Sequence, residues 1–463
     1  LTLQLQGRVA QAFDYPQKNI LRKVESFMRD YYGHARTIFL VTEAALGKME
    51  ARSAPEPSRL MRLLGSRPKS EKFDSFIARG GQLIPESREI FNDDPYRLLR
   101  AFHYAQVRQI EFHPELADLI GRRLHLIDST FQYAASARET FFAILSRKGE
   151  VGRTLRLMHN LGVLGRYIPE FGALDCLVQH EFYHRYTADE HTLVCIEKLD
   201  SVLLSDQRRL QGYRPIFQKL EDPSILYLSV LLHDTGKAAN SRHHEEAGAL
   251  IAHKVARRLQ LPPERRRMLI TLVDSHYTLS KMSQTRNLED HSTTEEFARI
   301  VGNRKNLDAL MLLTLADGMG TSDENWSDWK EGLVWTLYRR CARYLEGGVD
   351  AMEETRRNRQ LQKKLVLEKL DDSFRDECEA HFQFMPDRYF QMFEPEEIAQ
   401  HLRHFREFFL SRLSSDSLAA APALRWIPKP DKGHTEVWVS SWDRPRLLER
   451  IAGAFVSARL NIL

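Results

Sequence analysis

The sequence predicts a mainly α-helical chain that ends in a small α/β module. Three observations carry that expectation. Apolar residues recur at spacings of three and four through most of residues 1–412. Ile225, Leu226, Leu228, Val230 and Leu231 make one stretch so apolar that its helix must be buried. Near the C-terminal end the period changes to two, at Thr435-Glu436-Val437-Trp438-Val439-Ser440, which reads as a strand.

Taken in order, residues 1–165 read as helices, with Ile20, Val24, Phe27 and Met28, and then Leu98, Phe102 and Ala105, on helical faces. Residues 50–70 are rich in Pro, Ser and Arg and read as a loop. Asp93-Asp94-Pro95 reads as a helix start, and Gly149 and Gly162 punctuate the later helices of this region. Residues 166–345 form a second, more apolar helical region, with polar connectors at Ser205–Pro215 and Ser283–Thr294. Residues 346–430 comprise charged, surface-like helices to 412 and a linker at Leu413–Pro430. The last region, 431–463, holds the strand, a helix opened by Asp443-Arg444-Pro445, and a second strand at Leu460-Asn461-Ile462. The chain opens on Leu1 and stops inside an apolar-periodic segment, so it is expected to be a piece of a longer protein at both ends.

Composition narrows the function classes. A chain of 463 residues holds roughly two to four domains. Lys plus Arg number 67 against 63 for Asp plus Glu, too even a balance to argue for nucleic acid or a membrane surface as partner. No apolar run approaches the ~20 residues of a membrane span, and no signal peptide opens the sequence. Cys176, Cys195, Cys341 and Cys378 are scattered, with no CxxC pair, which suits reduced thiols and a cytoplasmic location.

The chemistry concentrates in Leu231-Leu232-His233-Asp234-Thr235-Gly236-Lys237. Adjacent His and Asp at the end of a buried helix are costly unless something pairs with them. A divalent metal is an economical partner, because imidazole and carboxylate together suit a borderline transition ion. His191 shares a helical face with Val194, Cys195, Leu199 and Val202, and Asp317 shares one with Leu310, Leu313 and Thr314. Three core-facing helices therefore each bring in a metal-competent group, as helical bundles do when they build metal sites. A lone core histidine is more often a packing residue, and a lone Asp at a helix end is usually a cap. The joint occurrence, in that order, favours the metal.

His191, then His233-Asp234, then Asp317, with Gly236-Lys237 after the dipeptide, resembles the H…HD…D signature of the HD superfamily of helical phosphohydrolases. The resemblance implies that His191, His233, Asp234 and Asp317 hold one metal and that the reaction is metal-assisted phosphoester hydrolysis. It implies further that Asp234 can bridge to a second ion and that Lys237 meets a phosphate oxygen. His244 and His276 stand where two-metal members place additional ligands. Gly248-Ala249 favours His244 over His243, and the competing reading of both sites is exposed polar loop.

Longer stretches resemble the bacterial PII uridylyltransferase/uridylyl-removing enzymes: His184–Leu193, Met158–Pro169, Leu315-Ala316-Asp317, Trp326–Lys330, Met385–Tyr389 and Pro395–Ile398. Thr435–Ser440 with Asp443–Leu447 and Ile451-Ala452 is similar to the start of an ACT domain. Asp93–Ala101 resembles the helical segment behind a nucleotidyltransferase domain, which would itself lie before Leu1. The implied whole is a helical HD bundle flanked by helical regions, with a truncated ACT module, acting with Mn²⁺ or Mg²⁺ as one or two ions. Its substrate would be UMP–tyrosine on the PII protein, and glutamine would be its effector. Arg446 departs from the Asp-Arg-Pro-Gly-Leu pattern of ACT domains, which puts effector binding there in doubt. Two other readings stand beside this one. A guanosine tetraphosphate hydrolase also pairs HD with ACT, but carries acidic residues where this chain has Thr235-Gly236-Lys237. A non-catalytic HD/ACT regulatory module is the other, and the intact ligand set argues against it.

Overall fold

The computed structural model describes residues 2–53, 70–178, 186–239, 244–321, 326–385, 387–413, 422–429, 434–458 and 460. The chain divides into two compact units, Leu1–Glu346 and Gly347–Leu463. Helices dominate both, as the 3.6-residue period predicts. Among the described residues no helix is long and apolar enough to cross a membrane.

The first unit opens with α1 (Leu3–Ala12) and the long α2 (Ile20–Ser53), which bury Ala10, Val24, Phe27 and Met28 together. A small sheet comes next that the helical reading of residues 1–165 missed. Strands β1 (Glu71–Phe73), β2 (Phe76–Arg79) and β3 (Gln82–Pro85) form an antiparallel meander, and β4 (Glu111–Phe112) joins β3 in parallel. Its strands are too short for a period of two to register. The Gly80-Gly81 pair, at φ +58° and +77°, was the local hairpin signal. Asp74, in the other turn, accepts from Arg97, Arg100 and Tyr104, which pins the sheet to α3 (Arg97–Arg108). Leu98, Phe102 and Ala105 are buried on α3 as expected.

One continuous core then runs through the helices that carry the site. These are α4 (Val151–Asn160), α5 (Ala188–Leu204), α6 (Pro223–Leu232), α7 (His244–Arg258), α8 (Pro263–Asp274) and α9 (Arg304–Thr321). The expected polar connectors are more ordered than they read. Arg208–Gly212 makes a short 3₁₀ helix, and Thr278–Thr285 and His291–Val301 are helical up to and beyond the second connector.

Residues 346–412 are helical, but they are more than a solvated face: Val366, Phe374, Cys378, Phe382, Ile398 and Leu402 bury one another. The linker expected at Leu413–Pro430 needs correction. Residues 423–429 form β5 (Ala423–Lys429), paired antiparallel with β6 (His434–Ser440) from Ala423↔Ser440 to Lys429↔His434. Alternation in Leu424-Arg425-Trp426-Ile427 was the overlooked cue, masked by the Pro and Ser around it. The helix after Pro445 runs Leu447–Ser457, and the strand expected at Leu460–Ile462 lies outside the described residues apart from Leu460. So do residues 54–69 of the loop expected at 50–70.

Candidate metal centre

The site begins with the burial of α6. Asp222 caps its first turn by accepting from the Ser224 amide at 3.1 Å, and Pro223 stands at the first helical position. All ten residues Pro223–Leu232 are buried. The helix must end inside the core, and it ends on His233. The chain turns at once: Thr235 Oγ1 donates to Leu232 O at 2.6 Å, and the Lys237 amide donates to Asp234 O at 2.9 Å. Gly248 of α7 lies close over this turn, where a Cβ would stand 3.8 Å from His233 O.

That turn sets the histidine's tautomer. His233 Nδ1 donates to Val230 O at 2.7 Å, so Nε2 is the ring nitrogen turned toward the carboxylates. His233 Nε2 is buried and has no hydrogen-bond partner. It lies 3.4 Å from Asp234 Oδ2 and 3.7 Å from Asp317 Oδ1. His191, from the first turn of α5, brings Nε2 to 3.0 Å from Asp317 Oδ1 and 3.7 Å from Asp234 Oδ2. The four residues that sequence reasoning singled out thus converge from two helices and one inter-helix turn. Donor atoms around a small divalent ion at about 2.0–2.2 Å stand roughly 3–3.5 Å apart, so little adjustment is needed to hold one.

Charge agrees with geometry. Burial opposes a cation on His233, yet the Asp234 and Asp317 carboxylates outweigh it and hold its pKa up at about 9. His191 is likewise held well above the usual imidazole range against burial, by Cys195 and Asp317. Burial would raise Asp317, but the hydrogen bond with His191 and the nearby His233 imidazole keep it well below the usual carboxylate range. Its side chain retains 27% exposure amid dense packing, which makes it the accessible member. Asp234 is held low against burial by His233, Lys237 and His191. Two carboxylates and two imidazoles, with one ring nitrogen orphaned, fit a divalent cation.

The other expected residues are placed differently. Lys237 Nζ donates to Asp234 Oδ2 at 2.8 Å. His276 is buried with its ring 5.4 Å from that of His233, and its Nδ1 also donates to a backbone carbonyl, Val273 O, at 2.7 Å. The expected alternative of an exposed loop residue does not describe it. His276 is kept from protonating by burial and by the neighbouring His233 cation. His244 is the first residue of α7, and its side chain, like His243 altogether, lies outside the described residues.

One member of the cluster went unnoticed in sequence. Cys195 Sγ sits 3.5 Å from His191 Nε2, and one donor each from His191, Cys195, His233 and Asp317 lie within 4.8 Å of one another. Its four-residue spacing from His191 was visible, but read as core packing. A second signal was Gly320 on α9: a Cβ there would fall 2.4 Å from Cys195 Sγ, so only glycine lets α9 approach α5 this closely.

Residues 76–167 match the family model described as the third domain of the uridylyltransferase GlnD, and residues 201–318 match that of the HD domain. Together these two matches fit a fragment of a GlnD-type PII uridylyltransferase. The HD match takes in His233, Asp234, His276 and Asp317 and begins after His191. HD domains generally bind divalent metals, in keeping with the donor set just described. Among solved structures, the chain is similar to the Thermotoga maritima CCA-adding enzyme complexed with tRNA_CCA, at 17% identity and a TM-score of 0.36, over 56% of this chain and 51% of that one. It is also similar to a CCA-adding enzyme in complex with ATP, at 15% identity and a TM-score of 0.35, over 73% of this chain and 64% of that one. The chain therefore spans from about half to under two thirds of the length of these enzymes. Likeness at this level transfers neither fold nor chemistry.

Proposed function

We propose that this chain carries the uridylyl-removing activity of a GlnD-type enzyme, hydrolysing the phosphodiester between UMP and a tyrosine of the PII protein. The observation that carries the reading is the buried, unpartnered Nε2 of His233 beside two carboxylates. His191, His233, Asp234 and Asp317 would hold the ion, Mn²⁺ or Mg²⁺, with His276 and His244 available to a second. A divalent ion held there would polarise the phosphoryl group, neutralise its charge and lower the pKa of a bound water. The protein's own contribution is orientation. The Val230 carbonyl fixes the His233 ring, Lys237 fixes the Asp234 carboxylate, and Asp317 opens the site toward solvent. Lys237, at 2.8 Å from Asp234, would be at hand for a phosphate oxygen once that carboxylate turns to a metal.

We assign residues 1–165 to the helical region that follows a nucleotidyltransferase domain, 166–345 to the HD phosphohydrolase, 346–430 to a helical connector, and 431–463 to the start of an ACT module. Glutamine would act through that last module. Its position 446 adopts φ +64°, the conformation that glycine supplies freely, and Arg446 instead forks onto Glu449 at 2.6 Å.

The deciding experiment supplies Mn²⁺ to the purified chain with bis(p-nitrophenyl) phosphate, and then with uridylylated PII, beside Asp234→Ala. UMP release by the parent and not by the variant is the expected result. No release from a folded, metal-loaded chain would overturn the uridylyl-removing reading. Hydrolysis of the generic diester alone would leave a phosphodiesterase of another substrate.

A further inference from the structure

A second group of donors converges on the first turn of α5, apart from the centre described above. His159 stands on the last turn of α4, Asp175 lies in the segment after Pro169–Gly172, and Asp189 opens α5. One donor atom from each lies within 4.8 Å of the others. His159 Nε2 is 3.2 Å from Asp189 Oδ2, and His159 Nδ1 is 3.8 Å from Asp175 Oδ1. The His159 and Asp189 side chains are each only 1% exposed. Yet His159 Nε2, both Asp189 oxygens and Asp175 Oδ1 are buried without a well-aligned hydrogen bond. Thr187 and the Cys176 amide lie near enough to Asp189 to help hold its pKa below the usual value against burial.

Buried polar groups left in this condition are destabilising, and more so when one is ionised. Arg36 answers part of the charge, with Nη1 3.9 Å from Asp175 Oδ2, but its other arm donates to His159 O at 2.8 Å. Asp175 Oδ1, His159 Nε2 and both Asp189 oxygens stay without a partner. One imidazole and two carboxylates are a donor set that zinc and its neighbours accept, and Asp175, 45% exposed, leaves a side open to water.

We propose that His159, Asp175 and Asp189 bind a divalent ion of the zinc class at a second, structural site. The ion ties α4 and the segment through Asp175 to the turn of α5 that leads into His191. Nothing in this inference depends on the phosphodiesterase reading of the first centre.

The test uses the whole chain, stripped by chelator and dialysed against Zn²⁺ alone, with metal content measured by plasma emission. A His233→Ala/Asp317→Ala chain removes the first centre and is expected to keep one equivalent of zinc. Adding Asp175→Asn to that chain should weaken the remaining site at least about tenfold, since loss of even an outer partner of a metal ligand costs about 10–100-fold. The melting temperature of the first variant should rise with Zn²⁺ and that of the second should not. If the buried substitutions prevent folding, judged by circular dichroism, Asp175→Asn alone in the parent must lower the zinc stoichiometry by one equivalent. Zinc absent from the first variant while it remains folded, or zinc binding indifferent to Asp175→Asn, would overturn the proposal and leave an ion-free histidine–aspartate pair.

Discussion

At the residue scale the site is organised by two hydrogen bonds from imidazole to backbone. His233 and His276 each spend Nδ1 on the carbonyl three residues earlier, which turns Nε2 of His233 toward the carboxylates. Such outer partners fix ligand orientation and tautomer in metal centres generally. Lys237 belongs to the same layer, since it holds Asp234 at 2.8 Å. Replacing it with methionine removes a cation from beside the proposed ligands while leaving every one of them in place. Lys237→Met should therefore retain or slightly strengthen Mn²⁺ binding and lower hydrolysis of bis(p-nitrophenyl) phosphate by about tenfold or more, the scale of a lost transition-state charge partner. Calorimetric Mn²⁺ titration and steady-state rates check the two halves separately. Loss of binding together with rate would make Lys237 a scaffold for the metal instead.

At the scale of elements, the centre depends on how closely α9 lies on α5. Gly320 is the contact, with no room for a Cβ beside Cys195. Overpacking of a filled core costs about 1–3 kcal/mol, so Gly320→Ala should lower the melting temperature by several degrees. Cys195→Ala in the same chain should recover part of that loss, a coupling that a double-mutant cycle reads directly. Recovery would be incomplete because the Cys195 backbone is itself only 3.3 Å from the added carbon. Strict additivity of the two substitutions would refute the contact. In the second unit the telling element is the helix Arg375–Phe384. His381 there is buried against the Tyr389 ring at 5.0 Å, and its Nε2 has no partner. Burial, and then His401, push its pKa down from 6.5 to about 4. A histidine depressed on folding stays neutral in the native state and is protonated more readily when unfolded. Its contribution is present in full above pH 6.5 and is lost as pH falls from there toward 4. Urea melts of the whole chain at pH 7 and pH 4.5 should show the transition of the second unit weakening with acid, and His381→Gln should flatten that dependence. An unchanged slope in the variant would reassign the effect to another group.

For the whole molecule, metal and fold are linked. The unfolded chain has no preformed site, so any ion that the native state holds stabilises it by RT ln(1 + [L]/Kd), about 2.7 kcal/mol at a hundredfold excess over Kd. Chelation should lower the melting of the first unit, where both donor clusters lie, and leave the transition of the second unit in place. Differential scanning calorimetry with and without Mn²⁺ follows both transitions in one trace. Equal displacement of the two would show a metal-dependent site in the second unit as well.

The sequence by itself determined the helical class and the burial of α6, and it singled out four residues that the fold brings near one another. Each of these rests on local information: a helical period, an apolar run without interruption, or a His-Asp dipeptide where burial makes charge expensive. The resemblance to PII uridylyltransferases was equally local, carried by short stretches in a shared order. Only tertiary structure decided the rest. Cys195 and the His159, Asp175 and Asp189 group become chemistry only when distant segments meet, and each alone reads as packing or surface. The small sheet at residues 71–112 and the strand Ala423–Lys429 escaped notice because strands of two to seven residues draw their hydrogen bonds from partners elsewhere in the chain, which no local period reports. Helices close their hydrogen bonds within themselves and so announce themselves in sequence, whereas sheets and metal sites are properties of what comes together.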